Sequence, residues 1–342
     1  MRTAFISTTS LLDTSRGAVL RKQAEMTRLG KEISTGRMAD VGLNLGAGTG
    51  QAATLHIDVG ALSALVDSNG AVVQRLRQSQ TALTKLSDGA NRFLQQLVMS
   101  RDSGAALGGT ASIALSGFIG DANASDGDQY LFGGVNSSIA PLADYASGPK
   151  AVVDAAFTAR FGFPPGDPAA SSISAADMND FLDNQFAALF ADPDWGSNWS
   201  SASDAPIRNR ISTTETVDTS VSANQQAIRR LAMAYTMVSG LGVDSLGTDA
   251  RKAVIDKAIS VLGSAIDGVT ALGQSLGGTE ARVSSATDSL DAQRDILTSR
   301  IQTLEGVDPA EAKVRIDTLS TQIEMSYSLT VKFLQMSILN YI

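Results

Sequence analysis

The stretch TEARVSSATDSLDAQRDILTSRIQTLEGVDPAEAKVRIDTLSTQIEMSYSLTVKFLQMSILNYI, residues 279–342, decides the fold. It reads as two helical runs parted at Gly306-Val307-Asp308-Pro309. In the second run Ile316, Leu319, Ile323, Tyr327, Leu334, Ile338 and Tyr341 recur at steps of three and four, with Thr330 keeping the register. That spacing sets one apolar helical face. Met325, Leu329, Phe333, Met336 and Leu339 form a second apolar line on another face. A helix apolar on two faces is not satisfied by one partner helix. The expectation is that other chains cover this end, because exposed it would be a sticky patch or would fray.

Upstream, the first helical run spans about 11–36, with a seam at Leu12, Val19, Met26, Leu29 and Ile33 and a stop at Thr35-Gly36. Five glycines between 36 and 50 predict a loop. That loop lacks the GxxxxGK[ST] pattern of a phosphate cradle. From Leu55 to Leu97 the apolar spacing is near-heptad, with polar Asn69 and Gln80 at two seam positions. As one helix this run would be about 65 Å long, which suits a rod. Asn69 and Gln80 either set register from inside or face solvent where the seam drifts. A shorter helix around Ile113–Ala124 leads to Asp126-Gly127-Asp128, a tight turn into the extended Tyr130-Leu131-Phe132-Gly133-Gly134.

Between 138 and 209 the composition changes. Seven of the eight prolines and both tryptophans fall here. This segment reads as an inserted domain with its own small core, containing a helix from Asp177 to Phe190 that starts at Ser174. The surrounding helices should close without it. Helical periodicity returns over 220–239 and from a Thr248-Asp249 cap to a break at Gly277-Gly278.

The elements are nested. First should pair with last and second with second-last, isolated long helices being marginal. The fold class is mainly α: a long antiparallel helical rod or coiled-coil bundle made by the two halves, with a small inserted mixed α/β or β-rich domain. The expected divisions are 1–40 with 306–342 for assembly, 41–137 with 210–305 as the rod, and 138–209 as a variable insert.

Composition removes most chemistry. The chain has no cysteine and one histidine, His56, so thiolate metal sites, disulfides and multi-histidine centres are excluded. His56 reads as a surface residue near a helix start. Asp126 and Asp128 read as turn chemistry rather than a catalytic pair. A net charge of −8 argues against a nucleic-acid partner. No run approaches the ~18 apolar residues of a membrane span, and the N-terminus lacks the apolar core of a cleaved signal peptide. No enzyme activity and no cofactor are expected.

Four features resemble the flagellin superfamily: Leu29-Gly30-Lys31-Glu32-Ile33-Ser34-Thr35-Gly36-Arg37 at the end of the first helix; Thr279–Val283 and Val307–Ala312 before the apolar last helix; the variable segment between rods; and Tyr130–Gly134. The last resembles the hook–filament junction branch of that family. The loop at 36–50 lacks the Asn-Ser-Ala-Asp-Asp-Ala pattern common in filament flagellins.

The resemblance implies a structural subunit joining hook to filament, exported without a cleaved signal and placed extracellularly as a homo-oligomeric ring. Its neighbours would be another hook-associated protein and flagellin. A cytosolic export chaperone would cover the C-terminal helix. The candidate assembly and chaperone-binding residues are Ile323, Tyr327, Leu329, Phe333, Leu334, Met336, Ile338, Leu339 and Tyr341, with the N-terminal seam opposite them. Filament flagellin is the nearest alternative, and a non-flagellar coiled-coil scaffold a remoter one.

Overall fold

The computed structural model describes residues 8–339, and side chains for 13–332 and Gln335. In chain order the helices are α1 (Thr8–Thr35), α2 (Val41–Leu45), α3 (Thr49–Ser100), α4 (Gly108–Ala122), α5 (Pro149–Phe161), α6 (Ala175–Phe181), α7 (Gln226–Gly240), α8 (Thr248–Glu305) and α9 (Pro309–Leu339). Two short antiparallel hairpins join them. One pairs β1 (Ser125–Asp126) with β2 (Gln129–Tyr130), and the other pairs β3 (Arg208–Arg210) with β4 (Thr216–Asp218). The protein is mainly α. Two compact units divide it, one made of residues up to Ala64 and from Asp291, the other Leu65–Leu290.

In the terminal unit α1 packs antiparallel on α9. Leu29, Ala312 and Leu319 form the buried centre, flanked by Met26, Ile33, Val307 and Ile316. First therefore pairs with last, as the nesting implies. Helix α1 stops where Gly36 takes a φ of +68°, a left-handed conformation that glycine adopts without steric cost. The glycine-rich segment after it is not all loop. Asp40 caps α2 by accepting from the Leu43 amide at 2.9 Å, which offsets the glycine penalty for one turn.

In the second unit α3 and α8 face each other. The expected seam of α3 is buried at Leu76, Leu83, Leu86, Ala90 and Leu97, against α8 residues such as Leu262, Val269, Leu276 and Val283. Arg77 and Gln80 both donate to Glu280, at 2.7 and 2.9 Å. Asn69 is fully buried, not solvated. Its amide donates to the Ile211 carbonyl at 2.9 Å and to the Thr287 hydroxyl at 3.1 Å. Helix α8 runs unbroken through Gly277-Gly278, contrary to the expected break. The cost of about 1 kcal/mol per glycine is offset by burial of Leu276 and Val283 on either side.

The aromatic residues of 138–209 do not form a separate core. Phe157, Phe181, Phe186, Trp195 and Trp199 join one continuous buried cluster with α3, α4, α7 and α8. The reason lies in bulk: with Phe190 these rings form a chain of edge-on and tilted contacts, the two tryptophans stacked, at centroid distances of 5.2–5.9 Å, and they are too large to be covered by a short segment alone. Ser174 caps α6, accepting from the Asp177 amide at 3.1 Å, but the α-helix ends at Phe181 and passes into a wider π turn, Leu182–Phe186.

Residues 220–225 are not helical, although periodicity suggested it. Their backbone is engaged elsewhere: Ala223 N donates to Phe132 O at 2.8 Å, and Ser222 bridges Gly133. Asn224 ties the insert down. Its amide donates to Ala202 O at 3.0 Å and to Asp204 at 2.7 Å, while its Oδ1 accepts from the Trp195 indole at 2.8 Å.

Candidate assembly surface

Three segments of the terminal unit converge on Glu305, the last residue of α8. Arg37, just past α1, donates to Glu305 Oε2, and His56 Nε2 from α3 lies 2.9 Å from Oε1. The carboxylate is buried. Burial raises its pKa, but the hydrogen bonds from Arg37 and His56 outweigh that and hold it below the usual carboxylate range. The backbone repeats the clasp: Met38 N donates to Glu305 O at 2.8 Å and Val307 N to Gly36 O at 3.2 Å. Glu32 closes the loop from the other side, accepting from Ala39 N at 3.1 Å.

A carboxylate pinned in its charged form by a permanent cation is a poor proton carrier. The cluster is a fastener, and among the described residues no group of His, Asp and Glu has the arrangement to hold a metal. Sequence reading missed Arg37 and Glu305; His56 is, as expected, an exposed residue near a helix start, but its bond to Glu305 was not foreseen. The signal was present, since Gly36-Arg37 and Glu305-Gly306 each sit at a helix break, and nested pairing brings those breaks together.

Helix α9 carries the other feature. Toward α1 it buries Leu319 and Ile323, and the seam continues through the partly buried Ser326 and Thr330. Thr330 Oγ1 lies 3.4 Å from Ser15 Oγ. Tyr327, expected in the seam, is 51% exposed at its edge, where its hydroxyl accepts from Gln23 Nε2 at 3.2 Å. A step of three from Ile323 keeps the face toward α1, and a step of four rotates past it.

On the opposite side, Val314 and Met325 point away from Leu319 and Ile323, with Leu329 beside them. Met325 and Leu329 are each 55% exposed, and Val331 is similarly open. On α1, Val19 and Leu29 are buried and Met26 and Ile33 partly so. The side chains of Leu12, Phe333, Leu334, Met336, Ile338 and Leu339, and Tyr341 altogether, lie outside the described residues. No helix among the described residues is long and apolar enough to cross a membrane.

The fold thus defines a mainly helical protein whose two ends pair with each other and whose last helix leaves Val314, Met325, Leu329 and Val331 exposed among polar residues. Models of the bacterial flagellin N-terminal helical region and C-terminal helical region match residues 6–137 and 259–342. The chain belongs to the flagellin superfamily. It is a structural component of the flagellum, where members of that family polymerise with other subunits, and it is not an enzyme. Among solved structures it shares its fold with one assigned as a flagellar hook-associated protein from Vibrio parahaemolyticus. The TM-score is 0.52 at 8% identity, over 75% of this chain and 97% of that one. No protein of curated function matches the sequence.

Proposed function

We propose that the chain joins hook to filament, forming a ring in which neighbouring subunits cover the apolar faces of α1 and α9. The observation that carries this reading is the outward line of Val314, Met325 and Leu329, opposite a seam that α1 already fills. Apolar side chains left open on the side of the helix away from its partner fit a helix-to-helix contact with another subunit. Before export the same face, with Phe333, Leu334, Met336, Ile338, Leu339 and Tyr341 beyond it, is bound by a cytosolic chaperone. The chain then leaves the cell without a cleaved signal. Likeness of fold to a hook-associated protein supports placement at the junction, as does the Tyr130–Gly134 stretch.

The test is an epitope inserted after the exposed Ser138, read by immunogold electron microscopy. Label in a narrow band between hook and filament is the expected result. Label along the filament makes the chain a filament flagellin instead. In the same strain, Leu329→Asp should abolish incorporation while circular dichroism of the purified chain is unchanged.

A further inference from the structure

Sulfur chemistry in this chain belongs to methionine alone. It has nine methionines and no cysteine, so no thiol competes for an oxidant. The two tryptophans, also readily oxidised, are buried to 1% exposure or less. Of the methionines with described side chains, Met178 and Met237 are fully buried, and Met26, Met38 and Met233 are partly buried. Two stand open: Met99, near the end of α3 in the second unit, and Met325 on α9, at 70% and 55% exposure. Met325 has Leu329 one turn on and Val314 three turns back, on the side of the helix away from Leu319 and Ile323.

We infer that Met325 is a reversible oxidation switch on assembly, its thioether form joining neighbouring subunits and its sulfoxide form being refused. The inference rests on the reading that the outward side of α9 is covered in the flagellum, and adds a chemical control to it. Hydrogen peroxide is the oxidant. Its O–O bond breaks, one oxygen forms an S=O bond, the sulfur gives up two electrons, and the other oxygen leaves as water. A flexible apolar side chain becomes a polar one. The sulfoxide oxygen is a strong acceptor, and an apolar contact offers it no donor. Val314, Leu329 and Val331 are aliphatic and do not react in this way, so one sulfur makes the whole face sensitive. A methionine sulfoxide reductase reverses the change, a thiol supplying two electrons and the oxygen leaving as water. Once a neighbour covers Met325, the thioether is shielded, so the switch acts on chains that are not yet assembled.

The test uses two full-length, epitope-tagged chains. In the first, Met99→Leu and Met336→Leu leave Met325 as the one exposed methionine among the described residues. The second carries Met325→Leu as well. Each is treated with hydrogen peroxide, its oxidation at residue 325 is read by mass spectrometry, and it is added to flagellar structures isolated from a strain lacking this protein. Immunogold counts measure incorporation against the same chain untreated. With Met325 oxidised, the first chain should incorporate less by roughly tenfold or more, with unchanged circular dichroism. Sulfoxide reductase with dithiothreitol should restore it, and the second chain should lose nothing on treatment. Equal incorporation of the oxidised and untreated first chain, or an equal loss in both chains, overturns the inference. Peroxide footprinting of assembled flagella separates that failure from failure of the assembly reading, since Met325 should oxidise far more slowly there than in the free chain. Slow oxidation there, with unimpaired incorporation of the oxidised chain, keeps the covered face and overturns the switch. Oxidation as fast as in the free chain shows that Met325 is uncovered and overturns both.

Discussion

Glu305 is where three segments of the terminal unit are fastened together. It ends α8, accepts from Arg37 and His56, and its carbonyl receives the Met38 amide. Its folded pKa lies below the ordinary value of 4.5. The stabilisation is therefore present above that unfolded value and is lost as pH falls through the folded one. Amide hydrogen exchange at Met38 and Val307 should accelerate, beyond the intrinsic pH effect, on acidification from about pH 5 toward 3. In Glu305→Gln those two amides should exchange faster at neutral pH, by about 1–2 kcal/mol of local opening, and lose most of the acid response. An unchanged acid response in that variant would remove the carboxylate from the account. Asn69 is the counterpart in the second unit. It donates two hydrogen bonds, while its Oδ1 has no partner. Asn69→Leu orphans the Ile211 carbonyl and should cost ~1–2 kcal/mol. Asn69→Asp, which sets a carboxylate against that carbonyl, should cost more. Thermal melts of the two variants rank them, and equal melting temperatures would show that the buried amide contributes nothing.

At the scale of elements, glycines separate what helices tolerate from what packing forbids. Gly277 and Gly278 sit mid-α8 with nothing within 4 Å of a Cβ on either. Each change to Ala should stabilise by ~0.5–1 kcal/mol through helix propensity. Gly268, two to three turns earlier in the same helix, is the opposite case: its Cβ would lie 2.8 Å from the Ala227 Cβ of α7. Gly268→Ala should destabilise, and urea unfolding midpoints moving in opposite directions would confirm the pair. Gly134 explains part of the motif that first suggested the junction branch. It has a φ of +60°, and a Cβ there would meet Ser203 O at 2.5 Å, while Leu131 and Phe132 are buried. The motif also anchors the insert to the helices, which accounts for its glycine and its buried side chains.

Much of this was legible in the sequence. The steps of three and four gave the long helices, Gly36 and Gly306-Val307-Asp308-Pro309 gave their stops, and nesting gave their partners. The α8 break and the helical 220–225 were misread because tertiary contacts decided them. Burial around Gly277-Gly278 outweighs local propensity, and strand-like pairing with Phe132 and Gly133 takes the amides a helix would use. The Arg37–His56–Glu305 clasp was hidden for another reason, because its members are far apart in sequence and each reads as ordinary alone.

For the molecule as a whole, the insert decides how the second unit can be altered. Composition suggested that 138–209 could be removed and the helices would close. The buried cluster argues against it. Trp195, Trp199, Phe157, Phe181 and Phe186 are buried to 1% exposure or less, in contact with a core that runs from Val72 to Val283. Truncating one such ring costs ~3–5 kcal/mol, and a domain's whole stability is about 5–15 kcal/mol. Deleting 140–207 removes all five together and strips the partners of Asn224 at Trp195, Ala202 and Asp204. The deleted chain should therefore lose the cooperative melt of the second unit, bind a hydrophobic dye, and fail to incorporate into flagella. A shorter excision confined to the exposed turn at 135–139 should be tolerated far better, since it removes no buried ring. If the 140–207 deletion instead melts cooperatively near the parent temperature, then α4, α7 and α8 can close over the gap, and the single core described here is two.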